Sequence, residues 1–259
     1  MQIVHFKGKV LPYDPAVLHI DVKDLPSLNW TDGQTGDSMT ITTKIDASVV
    51  DIEFVVKNFD EKDIPALMMK AWDLARAAVD LWCLKAGWGL GVVIDSIVKP
   101  DGTSGTLLSK NESLGALVTA LDGSTPGINN YDACYRLLVK EPPLFMALND
   151  LIVSITLPHV ATVNCARAIE GLRVLMAPAA TDRKHAWPIL QGNLNIDREY
   201  REYVTDISTG PRHGDRTFTP GTVVTETVKR SWIIMNRFLE YRKRGNQALP
   251  LAEFPLMTK

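Results

Sequence analysis

Cysteine is scarce in this chain, and its scarcity excludes two classes of architecture. The 259 residues include three cysteines, Cys83, Cys134 and Cys165, which are far apart and lie among apolar residues. Disulfide frameworks and zinc sites need cysteines grouped at short, regular spacings. The three thiols are therefore predicted to be free and buried.

Long uninterrupted apolar runs and a secretion leader are also missing. The longest apolar stretch, 81–98, contains Lys85, three glycines and Asp95, whereas a membrane span needs about 20 clean apolar residues. The first residues are typical of a strand and lack the basic segment, apolar segment and cleavage site of a secretion signal. We therefore expect a cytoplasmic protein with no membrane partner.

Signatures of cofactor-dependent enzymes are absent too. The five histidines are scattered along the chain, which argues against a preformed metal centre. No Walker lysine, nucleophile elbow or His-Glu-x-x-His element occurs, and the glycines at 87–91 lack the strand-before, helix-after context of a dinucleotide loop. The sequence predicts no metal and no cofactor.

Charge of one sign is not in large excess, but it is unevenly distributed. The net charge is −2, which gives no overall attraction to a polyanion. Residues 1–110 carry 11 Lys and Arg against 15 Asp and Glu, and the remainder carries 17 against 15. Any basic surface must therefore be local, and the basic excess lies after residue 212.

The first 110 residues alternate between extended segments and turn signals. Strands are predicted over 2–11, 17–22, 38–45, 49–57, 91–98 and 103–108. Apolar residues recur at helical spacing from 63 to about 86, with Pro65 in the first turn and Gly87 at the end. A helix laid across an antiparallel sheet covers its apolar face. Residues 1–110 are therefore predicted to form one sheet-plus-helix domain.

From residue 111 onward, the apolar spacing is helical almost throughout. Helices are predicted over 112–121, 130–140, 143–154, 160–176, 182–191, 197–208 and 223–244. Residues 111–244 thus form a helical bundle, and 245–259 are expected to be a loosely packed C-terminal tail. The fold class is α+β, with an N-terminal antiparallel sheet and one long helix followed by an all-α bundle.

The segment with the strongest features of a site is the glycine-bracketed loop at 207–216, which presents Arg212 and His213 side by side. Histidine can act as a general acid or base near neutral pH, and arginine can hold a phosphate. The pair therefore suits RNA cleavage, with His213 as acid/base and Arg212 as phosphate ligand. The alternative is a structural staple, in which Asp206, Asp215 and backbone carbonyls satisfy both cations.

A second candidate is the basic last helix together with the loop before it. Residues 212–244 contain eight Lys and Arg against three Asp and Glu. A basic surface is typical of a nucleic-acid partner, and the candidate contacts are Arg216, Lys229, Arg230 and Arg237. The plainer alternative is that the basic residues complement the helix dipole while the apolar side of the helix is buried.

A third candidate is a charged face on the helix predicted over 160–176. Arg167, Glu170 and Arg173 are three residues apart, so they share one face and can pair with one another. In a bundle, that face can also direct a charged side chain toward the loop at 207–216. A structural ion-pair cluster is the plainer interpretation of this pattern.

The helical half resembles the HEPN group of nucleotide-binding domains from higher eukaryotes and prokaryotes. The similarity depends on the helix at 166–172, the helices that follow, and a histidine in a loop before the last long helix, and it covers 111–244. The resemblance implies a ribonuclease or toxin-like effector, often a homodimer, or an inactive relative. The catalytic pattern of that group, arginine followed by four to six residues and a histidine, is not matched before His213, where 206–208 are Asp, Ile and Ser.

Two hypotheses of function follow. The first is a bacterial RNA- or nucleotide-directed effector or accessory protein, which, if catalytic, is a metal-independent ribonuclease. The second is a non-enzymatic protein-interaction or structural module that uses a sheet edge or a bundle face.

Overall fold

The chain forms two compact units, Met1–Leu108 and Ser109–Lys259. The computed structural model describes residues 1–13, 25, 27–31, 38–108, 112–121, 130–178, 183–215 and 219–258. The first unit contains a six-stranded sheet and a long helix, and the second is helical. The predicted α+β class is therefore confirmed.

Six strands form one antiparallel sheet in the first unit. They are β1 (Gln2–Leu11), β2 (Leu28–Thr31), β3 (Ser38–Asp46), β4 (Val49–Val56), β5 (Gly91–Val98) and β6 (Ser104–Thr106), in the order β2-β3-β4-β1-β5-β6. Alternate residues of β1 and β4 are buried, as a sheet with one covered face requires. The buried face includes Phe6 and Phe54, whose rings meet edge to face at 5.5 Å.

Helix α1 (Ile64–Ala86) packs against the buried face of this sheet. Pro65 lies in its first turn, and Gly87 ends it in a left-handed conformation, with φ of +72°. The Trp72 indole donates to the carbonyl of Val92 in β5 at 3.1 Å. The small residues Ala71 and Ala75 are fully buried, so this face of α1 fits closely against the strands.

One strand predicted for the first unit is not tested by the structure, and one observed strand was not predicted. The strand expected at 17–22 lies outside the described residues. Strand β2, Leu28–Thr31, was not predicted because four residues are too few to establish an alternating pattern. It pairs with β3 and ends the described sheet on that side.

The second unit contains α2 (Glu112–Gly115), α3 (Asn130–Lys140), α4 (Pro142–Thr156), α5 (Pro158–Met176), α6 (Arg183–Leu194), α7 (Arg198–Asp206), α8 (Thr209–Arg212) and α9 (Gly221–Lys243). Helix α5 is central and packs against α4, α6, α7 and α9. Its buried face carries Cys165 and Ile169, and α9 contributes Phe238. All three cysteines are free and buried, as predicted.

The segment after α9 is not a loosely packed tail, which corrects that expectation. Leu249 is buried, and its amide donates to the carbonyl of Asn193 at 2.9 Å. The Asn195 side chain donates to the carbonyls of Leu249 and Phe254. Met257 exchanges backbone hydrogen bonds with the turn between α6 and α7. This segment, residues 246–258, is called the C-terminal strap below.

Candidate functional site

Arg212 is held at the end of α8 by three hydrogen bonds. Its guanidinium donates to Glu170 Oε1 of α5 at 3.0 Å, to Ser208 Oγ at 2.7 Å and to the carbonyl of Thr205 at 3.3 Å. Ser208 is fully buried and donates in turn to the Thr205 carbonyl. These bonds tie the one-turn helix to α5 and to the end of α7.

The predicted face of α5 does send a charged side chain to this loop. Glu170 forms the ion pair with Arg212, and both side chains are about three-quarters buried. Arg167 instead pairs with Asp150 of α4 at 3.5 Å. The geometry of Arg212 therefore fits the staple alternative, with Glu170 as the acidic partner.

His213 caps α8 and is exposed. Its backbone amide donates to the carbonyls of Thr209 and Gly210, and Gly214 follows with φ of +91°. The imidazole is therefore presented on the outside of the bundle, one residue from the anchored guanidinium of Arg212. That the Arg212 and His213 side chains act at one common site stays a prediction.

Two arginines of the basic last helix that were predicted to contact nucleic acid are buried. Arg237 is 5% exposed, and it donates to the carbonyls of Leu194, Asn195 and Pro255 at 2.7–2.8 Å. Burial lowers the pKa of its guanidinium. These bonds join α9 to the turn between α6 and α7 and to the C-terminal strap, so Arg237 is a structural residue.

Arg230 is also enclosed. It is 8% exposed, donates to Glu226 at 2.8 Å, and stacks on Tyr200 and Tyr203 with its guanidinium carbon 4.7 and 4.1 Å from the ring centroids. Arg230 and Arg237 are therefore both buried, whereas direct contact with a nucleic acid requires an exposed side chain. Lys229 is exposed, and Arg216 lies outside the described residues.

Aromatic rings stabilise further buried arginines in this unit. Arg173 of α5 and Arg201 of α7 both lie over the Trp187 ring of α6, at 5.2 and 4.6 Å from the ring centroid. A ring face attracts a desolvated cation without adding a second charge. The two arginines and the Trp187 ring thus join α5, α6 and α7. The spacing of residues in the sequence does not indicate this arrangement.

A second and more open feature is an apolar cavity of about 250 Å³ in the helical unit. It lies between α3, α4 and α9, with one side formed by residues that follow α2. The lining side chains are Val118, Leu121, Tyr131, Cys134, Tyr135, Leu138, Leu148, Leu151, Ile152, Trp232, Met235, Asn236 and Leu239. Burial raises the pKa of the Cys134 thiol, so this side chain is neutral at physiological pH.

The side-chain amide in the lining already has hydrogen-bond partners within the protein. Asn236 accepts from the amide of Ala120 at 2.9 Å and donates to the Thr119 hydroxyl at 3.1 Å. Among the described residues, the lining contains no Asp, Glu, Lys, Arg or His. The cavity is therefore suited to an apolar group rather than to an anion or a metal ion.

Large apolar side chains surround the cavity mouth. Tyr131 is 65% exposed, Tyr135 is 59% exposed and Ile152 is 47% exposed. Val139, one turn beyond Tyr135, and Phe145 in the first turn of α4 are exposed as well. We call these five residues the α3–α4 patch. Exposed apolar patches on soluble proteins commonly mark interaction sites.

Sequence reasoning did not find the cavity, although one signal was present. Tyr131, Tyr135 and Val139 recur every fourth residue and therefore form a stripe along α3. Such a stripe normally indicates a core-facing side. Here the core-facing side of α3 is formed by Cys134 together with Leu138, and the stripe lies at its edge.

Within the described residues, no three His, Cys, Asp or Glu side chains converge on a point where they could hold a metal ion. In the same part of the chain, no helix has the length and apolar character needed to cross a membrane.

Comparison with known protein families gives two matches. Residues 4–108 match the N-terminal domain, and residues 131–243 the C-terminal domain, of DUF8168, described as a domain of unknown function. One match falls in each compact unit. No curated protein and no solved structure matches the chain.

Proposed function

This chain belongs to the two-domain DUF8168 family, and we propose that its C-terminal domain is a non-enzymatic binding module that takes up an apolar group of a partner protein. The observation that carries this proposal is the cavity of about 250 Å³, whose described lining residues are uncharged and which has aromatic side chains at its mouth. An apolar cavity of about 150 Å³ is large enough for benzene. The cavity is therefore large enough for one aromatic or branched aliphatic side chain.

The composition of the cavity mouth supports a protein partner. Tyrosine is enriched at the centres of protein interfaces, because a large rigid ring contributes contact area at low entropic cost. A cavity that holds one anchor side chain, surrounded by further apolar contacts, is the usual arrangement when an amphipathic helix lies in a groove. Tyr131, Tyr135 and Ile152 occupy the positions of those surrounding contacts.

An uncharged fluorescent dye, N-phenyl-1-naphthylamine, tests the cavity directly. Dilute wild-type protein should bind the dye, with energy transfer from Trp232 in the lining. Ile152→Lys places a charge at the mouth and should reduce dye binding at least tenfold, since a charge in an apolar site is strongly disfavoured.

Val174→Lys is the matched control, because Val174 is an exposed β-branched residue of α5 outside the lining. It should bind the dye as the wild type does. Circular dichroism checks that both variants are folded. Equal dye binding by the two lysine variants would contradict the proposal.

A second proposal retains the RNA-directed function that the HEPN resemblance implies. The supporting observation is an exposed His213 beside a guanidinium that Glu170 and Ser208 hold in one place. An accessible imidazole can transfer a proton, and a fixed cation can stabilise the charge that develops on a phosphate during cleavage. Arg212 keeps the phosphate role in this proposal, with part of its side chain exposed.

Cleavage of a mixed RNA pool in EDTA tests that activity. Wild-type protein should cleave the pool, and folded His213→Ala should lose at least a hundredfold in rate, since positioned acid–base catalysis contributes about 10²–10⁴-fold. Cleavage retained by His213→Ala, or no cleavage by wild type, would leave the binding module as the proposed function.

A further inference from the structure

We infer that the partner of the α3–α4 patch is a second copy of this chain, and that the α3 helices of the two copies pack antiparallel about a two-fold axis. This inference rests on the proposed binding function and names its partner. It depends on three observations: the extent of the patch, its repeat along α3, and the charges beside it.

The patch supplies a substantial part of a dimer interface. Tyr131, Tyr135 and Phe145 are 65%, 59% and 56% exposed, and an aromatic side chain buries about 150–250 Å² when fully enclosed. These three residues alone therefore offer roughly 270–450 Å² per copy, against roughly 800 Å² on each side of a standard interface. Val139, Ile152 and the polar side chains around them supply further area.

The repeat along α3 suits contact with another helix. Tyr131, Tyr135 and Val139 follow one another at intervals of four residues over about two turns of α3. Placed antiparallel with Tyr135 near the two-fold axis, Tyr131 of one copy lies opposite Val139 of the other. In a two-fold interface the same patch serves both partners. Each copy therefore presents its aromatic side chains to the cavity mouth of the other.

The charges beside the stripe favour the antiparallel direction. Asp132, Arg136 and Lys140 are exposed and flank the stripe on one side. In the antiparallel arrangement, Asp132 of one copy lies at a height along the helix that is between Arg136 and Lys140 of the second copy. A parallel two-fold arrangement would instead place these charges on opposite sides of the contact, where they cannot pair across it. Charge therefore selects the orientation, and the apolar stripe supplies the contact.

Sedimentation equilibrium of the full-length protein tests the inference. The wild type should be a concentration-dependent dimer, and Tyr135→Glu should be a monomer. Val174→Lys, which changes exposed apolar surface elsewhere in the same unit, should remain a dimer. A dimer that Tyr135→Glu leaves intact, or a wild-type monomer at every concentration, would overturn the inference.

A charge exchange tests the orientation. Asp132→Lys should weaken the dimer at least tenfold, because three basic side chains then flank the stripe on both copies. The double variant Asp132→Lys with Lys140→Asp should recover part of the affinity, since each new lysine then lies beside the new carboxylate of the other copy. Failure of the double variant to recover any affinity would overturn the antiparallel arrangement.

Dye binding separates this inference from the proposed function. The monomeric Asp132→Lys variant leaves the cavity lining unchanged and should bind the dye, whereas dimer formation by the wild type should displace it. Dye binding without any dimer would overturn the dimer and leave the binding module standing. A wild-type dimer together with a monomeric Asp132→Lys variant that does not bind the dye would refute the binding cavity and leave the dimer standing.

Discussion

At the scale of single residues, the buried arginines of the C-terminal unit rely on rings and carbonyl groups. Arg230 stacks on two tyrosines, and Arg237 donates to three backbone carbonyls. Removing a buried charge from water is costly unless its donors are satisfied. Such residues fix the positions of α7 and α9, and this explains why these two arginines of a basic helix are buried.

Gly8 is a position where only glycine fits. The β1–β5 register shifts between Lys7 and Gly8, and a Cβ at Gly8 would overlap the carbonyl of Val93 in β5. Because backbone atoms cannot rotate away, Gly8→Ala should destabilise the first unit by about 1–3 kcal/mol. Urea unfolding should show a lower midpoint for this variant.

Gly89→Ala is the control for that experiment. A Cβ there meets no heavy atom within 4 Å, and the backbone does not need a positive φ. Its unfolding midpoint should stay close to that of the wild type. Equal midpoints for Gly8→Ala and Gly89→Ala would show that β1 and β5 do not approach as closely as described.

Tyr200 should make the stability of the second unit sensitive to alkaline pH. Burial raises the pKa of its phenol from 10.0 to about 12. Between these values the unfolded chain loses the proton and the folded chain keeps it. The stabilisation is therefore complete below pH 10 and is lost as pH rises to about 12.

Two measurements on Tyr200→Phe check this expectation. Tyrosinate absorbance should reveal one wild-type tyrosine that titrates late and is missing in the variant. The free energy of unfolding should fall less steeply with pH in the variant above pH 10, the ordinary pKa of the phenol. Identical titration curves, after correction for one ordinary tyrosine, would contradict the buried phenol.

At the scale of elements, the Arg212–Glu170 pair joins α8 to α5, and this tertiary tether should be measurable. In a double-mutant cycle with Arg212→Ala and Glu170→Ala, we expect a coupling of about 0.5–1 kcal/mol, because the pair is only partly exposed. Urea unfolding of the two single variants, the double variant and the wild type gives this value.

A matched control pair lies within α7. Arg198 and Glu202 form an ion pair at 2.7 Å, four residues apart on one helix, and the Arg198 side chain is largely exposed. Its coupling should be at most about 0.5 kcal/mol. A coupling for Arg212 and Glu170 that is not larger than this control would show that the tether is no stronger than a surface pair.

The helices and most strands were predictable because their apolar periods are long and regular. Helix α1 begins one residue after the predicted position and ends where Gly87 predicts. Helix α8 was missed, since a glycine and a proline within four residues normally indicate a loop. The C-terminal strap was missed because its order comes from contacts with α6 and α7, not from local pattern.

The sites were less predictable than the elements. Periodicity counts arginine as polar, so it placed Arg230 and Arg237 on a surface, although tertiary partners bury both. The contact between Glu170 and Arg212 was predictable, because Glu170 lies on a charged helix face that the residue spacing indicates. The cavity was not, because its lining comes from segments that are more than 100 residues apart in the sequence.

At the scale of the whole molecule, the two units differ in the surfaces that they present. The uncovered face of the sheet carries polar contacts across neighbouring strands, such as the His5–Asp51 hydrogen bond and the Lys9–Asp95 ion pair. The helical unit instead presents the apolar α3–α4 patch. Partner binding is therefore expected to depend on the helical unit more than on the open face of the sheet.

The C-terminal strap makes the helical unit tolerant of a broken chain. Its contacts, together with those of Arg237, join residues that are 42 to 59 positions apart, and α9 packs along α5. A single proteolytic cut between α8 and α9 should therefore yield two bands in a denaturing gel and one peak in native size exclusion. Separate elution of the fragments would contradict this. The unit could then be produced as two separate polypeptides that reassemble. Either polypeptide could carry a label that the other lacks.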